Sequence, residues 1–314
     1  IDVLYFDYYF VFNVTILLGN TMKILIAIGG REFSKPTLDL GMKIANSFKS
    51  STTIAYVGKK ISQFSEKDVS VVHQNLDDRE LYRPGIRTLE WAYDFLISKK
   101  YIEEKDSNKF NDYLLVDEEN SRMKVLLKGQ QSDKIDLIMR TGEIIEQLKN
   151  EVETNKHDIT IIGGGGNKGI HQKLVQFIDS SVFVVKNYSV NKKYRILLPI
   201  NESKGSDMAI ETAINFAKSY KLDVEIVSVP EGKKSIEEVE KILLKTKDKF
   251  LKNKIKASTK LISGSAVNSI VNHAKDDSIV ILGVSPKNPI MKYFFGSKPL
   301  SIAQKCNCPV LITK

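Results

Sequence analysis

Asp158-Ile-Thr-Ile-Ile-Gly163 and, 120 positions later, Ser278-Ile-Val-Ile-Leu-Gly283 are one pattern written twice. Each is a run of β-branched and apolar residues closed by glycine. A run that is apolar at nearly every position, rather than at every second one, buries both of its faces, as a central strand of a parallel sheet does. The neighbours repeat as well. Downstream, Val182-Phe-Val-Val-Lys186 answers Val310-Leu-Ile-Thr-Lys314. Upstream, Lys23-Ile-Leu-Ile-Ala-Ile28 and Tyr194 to Ile200 open the two copies, and each leads into a helical spacing. Leu38, Met42, Ala45 and Phe48 form one apolar face, and Ala209, Ala213, Ile214 and Ala217 form the other. Ser51 to Val57 and Val224 to Val229 follow as second strands. Each half therefore reads β-α-β-α-β-α-β-α-β with right-handed crossovers. The expected fold class is α/β, two tandem Rossmann-like domains, each a five-stranded, mostly parallel sheet flanked by helices.

The domain limits that follow are 22–186 for the first copy, 187–193 for a polar linker and 194–314 for the second. Residues 1–21 are aromatic and apolar but carry Asp2, Asp7 and Asn13, which a spanning helix tolerates poorly, and they lack the pattern of a signal peptide. They are expected to be an N-terminal extension, either a disordered or loosely packed tail or an upstream segment from a misplaced start.

The copies are unequal. Ile24 to Ile159 spans 135 positions, whereas Ile196 to Ile279 spans 83, so the first copy holds an insertion of about fifty residues within 59–132. The insertion is expected to contain a helix around Leu89 to Ile102 bearing Trp91, and a hairpin pairing Tyr113–Val116 with Lys124–Leu127. Its aromatic residues, Tyr82, Trp91, Tyr93, Phe95 and Tyr101, suit either a partner surface or a local core. In the other direction, Gly163 to Val182 is 19 positions against 27 for Gly283 to Val310. The eight missing residues fall after the fourth strand of the repeat, where open parallel sheets hold their ligands.

Composition narrows the functional classes. With 42% apolar and 27% charged residues the chain suits a soluble globular protein. Residues 191–314 carry 22 Lys and Arg against 12 Asp and Glu, so an anionic ligand is expected in the second half. Base and phosphate readout favours arginine, and that half has only Arg195, which argues against nucleic acid. The lysines between Lys233 and Lys260 alternate with apolar residues at helical spacing and read as a solvated helix face. Two cysteines, Cys306 and Cys308, are badly placed for a mutual disulfide and suit a reducing, cytoplasmic setting. Four scattered histidines leave no metal site.

The second half resembles the universal stress protein family. Gly283-Val-Ser-Pro286, nine further residues, then Gly296-Ser297 and the final Cys308-Pro-Val-Leu-Ile-Thr-Lys314 follow the spacing of that family's ATP-binding members, and Ile196-Leu-Leu-Pro-Ile-Asn-Glu-Ser203 resembles its first strand. The resemblance implies an adenine nucleotide alpha hydrolase-like fold, ATP or another adenine nucleotide as ligand, and a regulatory rather than enzymatic role. No acid-base pair, nucleophile triad or metal cluster accompanies the glycine loop. Carried over residue by residue, Asn201 and Val229 are implied near the base, and Gly283, Gly296 and Ser297 near ribose and phosphates, with Lys287 and Lys292 in the same loop. Two departures weaken the site. Pro286 stands where the family has glycine and brings a ring without an N–H, and Asn201 replaces an acidic residue. Losing one charge-assisted hydrogen bond costs roughly 1.5–3 kcal/mol. Ser203 itself reads as a helix N-cap. In the first half the acidic position is Gly29 and the loop shortens to Gly163-Gly-Gly-Gly-Asn-Lys-Gly169, a structural turn. The resemblance also implies pairing through the fifth strands, so Val182–Lys186 and Val310–Lys314 are expected to meet antiparallel within the chain as a pseudo-dimer, and homodimers remain open. The alternative to nucleotide binding is an interaction scaffold with the insertion as its partner surface.

Overall fold

The structure is a computed structural model that describes residues 21–58, 78–102, 113–118, 122–127, 134–165, 168–230, 235–284 and 298–314. The N-terminal extension expected over residues 1–21 lies, but for its last residue, outside the described residues. The first half runs β1 (Lys23–Ile28), α1 (Arg31–Ser47), β2 (Ser51–Gly58), α2 (Asp78–Ser98), β3 (Tyr113–Glu118), β4 (Arg122–Leu127), β5 (Ile135–Thr141), α3 (Ile144–Asn155), β6 (Ile159–Gly163), α4 (Lys168–Phe177) and β7 (Ser181–Val185). The second runs β8 (Arg195–Pro199), α5 (Lys204–Tyr220), β9 (Val224–Ser228), α6 (Ile236–Lys252), β10 (Ala257–Leu261), α7 (Ala266–His273), β11 (Ser278–Gly283), α8 (Lys298–Lys305) and β12 (Val310–Thr313).

All described strands join one sheet in the order β10-β9-β8-β11-β12-β7-β6-β1-β2-β5-β4-β3. Outward from its centre the order repeats on both sides, because the two Rossmann-like sheets meet at their fifth strands. Val310, Leu311 and Ile312 of β12 register antiparallel against Val184, Phe183 and Val182 of β7. Both strands are buried along their whole length. A side chain such as Phe183 or Leu311 gains roughly 1.5–3 kcal/mol from such burial, so the seam is held by core packing as well as by its ladder. One apolar layer under α1, α2, α5 and α6 and a second under α3, α4, α7 and α8 continue across both halves.

The helices follow their local signals. Ser203 caps α5 by accepting from the Ser206 N–H, and Ser235 with Glu238 closes a reciprocal capping box on α6. On α6, Val239, Leu243, Thr246 and Phe250 face the core and its lysines face solvent, as the spacing predicts.

The region read as an insertion is organised differently from the expectation. Helix α2 begins at Asp78 and fills the crossover from β2 to β5, the place that α6 fills between β9 and β10. It is thus part of the repeat, and the added structure is the antiparallel hairpin β3–β4, which extends the sheet beyond β5. Of the aromatics of this region, Tyr93 and Phe95 are buried in the core, and Trp91 and Tyr101 are partly buried against the same layer. Tyr82 lies where side chains are outside the described set.

Candidate nucleotide site

In the second half, β9 and β11 flank β8 on opposite sides, so the chain leaves β8 in one direction and later crosses back over it. That reversal opens a crevice at the strands' carboxyl ends. A cavity of about 290 Å³ lies there, lined by Pro199 to Asn201 from the β8 exit, Val227 to Val229 from β9, and Leu282 to Val284 from β11. Ser228 Oγ donates to the Ile200 carbonyl at 3.0 Å and fixes the first two exits against each other. The apolar lining of Val227, Val229, Ile270, Leu282 and Ile302 can hold a flat ring.

Three helices begin at this cavity. Ser203 and Ser206 belong to the start of α5, Ala266 is the first residue of α7, and Lys298 and Pro299 open α8. Each helix start carries about half a positive charge and unused backbone N–H groups. Their convergence, with Lys298 among them, favours an anion at one end of an otherwise apolar slot.

Asn201, Val229 and Gly283 line this one cavity, while Gly296 and Ser297, with Pro286, Lys287 and Lys292, lie outside the described residues. The role of Gly283 changes, however. A Cβ there would stand 1.6 Å from the Gly205 carbonyl oxygen, so the glycine lets β11 meet the first turn of α5. Packing is what demands it, and the phosphate contact implied by the family spacing is not needed to explain it. Reading single residues also missed Ser206, whose Oγ accepts from the Asn201 N–H at 2.9 Å. The signal was in the repeat, because Ser34 accepts from the Gly29 N–H at 2.8 Å across the same five-residue spacing. In the first half that device survives, but Gly29 has no side chain to offer a ligand.

A larger cavity of about 870 Å³ opens over the seam between Phe33, Pro36, Val184, Leu300 and Ala303. Volume alone does not favour it, because its two lysines are occupied by the fold, Lys305 Nζ donating to Asn268 Oδ1 at 3.2 Å. Lys186 Nζ donates to the carbonyls of Ala303, Gln304 and Cys306 at 2.7, 3.0 and 3.2 Å, closing the end of α8. Arg195, the one arginine of the second half, is likewise bound to Glu225 and Asp277. Cys306 and Cys308 are free thiols and buried, as structural residues. Among the described residues no group of three His, Cys, Asp or Glu could hold a metal, and no helix is long and apolar enough to cross a membrane.

Residues 194–314, the half that holds this cavity, match the universal stress protein family. Over these residues the chain is similar to the universal stress protein family. Universal stress protein YxiE of Bacillus subtilis (strain 168) is 26% identical over 147 residues, covering 38% of this chain and 98% of that protein. The crystal structure of a universal stress protein from Archaeoglobus fulgidus DSM 4304 aligns over 93% of this chain and 96% of its own, with a TM-score of 0.59 and 14% identity. A functionally unknown protein from Pseudomonas aeruginosa PAO1 covers 95% and 94%, with a TM-score of 0.58 and 11% identity. Coverage of that extent means that the universal stress protein fold runs through both halves, including the half outside the family match.

Proposed function

We propose that this is a regulatory, non-enzymatic protein of the universal stress type, whose second half binds an adenine nucleotide weakly in the cavity at the β8, β9 and β11 exits. The convergence of three helix starts on an apolar slot at the sheet's reversal carries the reading. The base lies against Val229 and Asn201, and the phosphates face the starts of α5 and α8 and the loop that ends in Gly296-Ser297. Pro286 keeps binding weak, because one backbone donor is missing from that loop. Burial of Tyr93 and Phe95 favours this reading over the alternative of an interaction scaffold built on the insertion.

Titration of the full chain with ATP, ADP and AMP by calorimetry tests this. ATP should bind in the high-micromolar to millimolar range, and Pro286→Gly should tighten it by one to two orders of magnitude, the equivalent of about 1.5–3 kcal/mol. If neither form binds any of the three at millimolar concentration, the site is vestigial and the reading falls.

A further inference from the structure

Asn201 lines the cavity, and the way its carboxamide is held decides which atom a ligand meets. A carboxamide offers an oxygen with two lone pairs and a nitrogen with two hydrogens. Both lone pairs are taken. The Ser203 backbone N–H donates to Oδ1 at 3.0 Å, and the Ser206 hydroxyl donates to it at 2.8 Å. The second bond has a fixed direction, because Oδ1, held against the Ser203 N–H, can only accept, while Ser206 Oγ keeps a lone pair for the Asn201 backbone N–H at 2.9 Å. Flipping the carboxamide would set its NH2 against the Ser203 N–H, donor against donor, so the orientation is determined. Nδ2 has no partner among the described residues, and Asn201 is exposed.

We propose that Asn201 sets the specificity of this cavity as a donor-only contact, selecting a nucleobase edge that presents an acceptor, a ring nitrogen or a carbonyl oxygen, and rejecting one that presents an amino group. The inference rests on the nucleotide reading of the same cavity and says which edge of the base is read. Only Oδ1 serves the start of α5, so that duty does not account for the free donor. A carboxylate in the same place would keep both serine bonds and turn an acceptor toward the ligand. Asn201→Asp therefore reverses the polarity of the contact while keeping its shape.

The test compares ATP with its 1-deaza, 3-deaza and 7-deaza analogues, each lacking one ring acceptor, in calorimetric titrations of the full chain, of Asn201→Asp and of Pro286→Gly. For the native chain one analogue should bind about five- to tenfold more weakly than ATP, the worth of one ordinary hydrogen bond. In Asn201→Asp that ratio should fall to one or below, because the carboxylate now meets the ring acceptor lone pair to lone pair. Repulsion between the new carboxylate and the phosphates weakens all four nucleotides alike and leaves the ratio untouched. Equal binding of all four by the native chain, or a ratio that survives in Asn201→Asp, overturns the inference while nucleotide binding stands. Absence of binding in both the native chain and Pro286→Gly overturns both. If Asn201→Asp does not fold, the side chain serves the helix start alone, and the inference falls on that ground.

Discussion

His157 follows α3, is buried, and places Nε2 3.1 Å from Thr53 Oγ1. Burial disfavours the imidazolium and pulls the pKa from 6.5 to about 4, outweighing the attraction of nearby Glu151. The sign follows from which state takes the proton first. As pH falls below 6.5 the unfolded chain protonates while the folded chain does not, so stability present above pH 6.5 is lost progressively toward pH 4. At about 1.4 kcal/mol for each pH unit, roughly 2 kcal/mol should disappear between pH 6.5 and 5. His157→Gln keeps a polar group for Thr53 and removes the proton. Urea denaturation at the two pH values should show the native chain losing about 2 kcal/mol more than the variant. Equal losses would place the imidazole in a wetter, chargeable setting than this packing allows.

At the scale of elements, the added hairpin is fastened by charge. Glu151 on α3 accepts from Arg140 Nε of β5 at 2.8 Å and from Arg122 Nε of β4 at 3.1 Å, and Asn155 Nδ2 donates to its other oxygen at 2.9 Å. Glu151 and Arg140 are both fully buried. Removing the one carboxylate between two guanidinium groups leaves buried charge uncompensated, so Glu151→Gln should cost about 3–5 kcal/mol. Hydrogen exchange of the β3 and β4 amides should quicken more than that of β8 to β12. A uniform change across the sheet would contradict a local clamp. None of this was visible in the sequence, because Arg122, Arg140 and Glu151 meet only after three elements assemble. The strand repeat, the hairpin and the helical faces were visible, since each is a local pattern of spacing. The start of α2 shows the boundary between the two kinds of information. Pro84-Gly85 reads locally as a break, yet the helix runs through it. A Cβ on Gly85 would come within 2.7 Å of Met139 Sδ and Tyr56 Cδ1, so contacts from two distant strands settle what the local signal leaves open. In the candidate site, Asn201 and Val229 were legible from motif spacing, whereas Ser206 and the close approach of Gly283 to Gly205 needed the packing of α5 on β11.

For the whole molecule, the question is whether the two halves fold separately. Each half ends in a lysine that crosses the seam. Lys186 closes the end of α8, and Lys314 Nζ donates to the Ile178 carbonyl just beyond α4, with burial holding its pKa at about 8. On the opposite face, Phe216 of α5 packs against Phe48 at 5.5 Å and Phe183 at 6.1 Å between ring centroids, both from the first half. Neither half can expose its seam without uncovering the other's core, so unfolding should be a single transition with calorimetric and van't Hoff enthalpies in agreement. Phe216→Ala removes a fully buried ring shared by both halves and should cost about 3–5 kcal/mol. The variant should also broaden or split the transition, because the ring is a large part of what couples the two layers. Two resolved transitions in the native chain would mean that seam strands and rings bind the halves less tightly than each half binds itself. Retention of one sharp transition in Phe216→Ala would assign the coupling to the β7–β12 ladder and the crossed lysines instead.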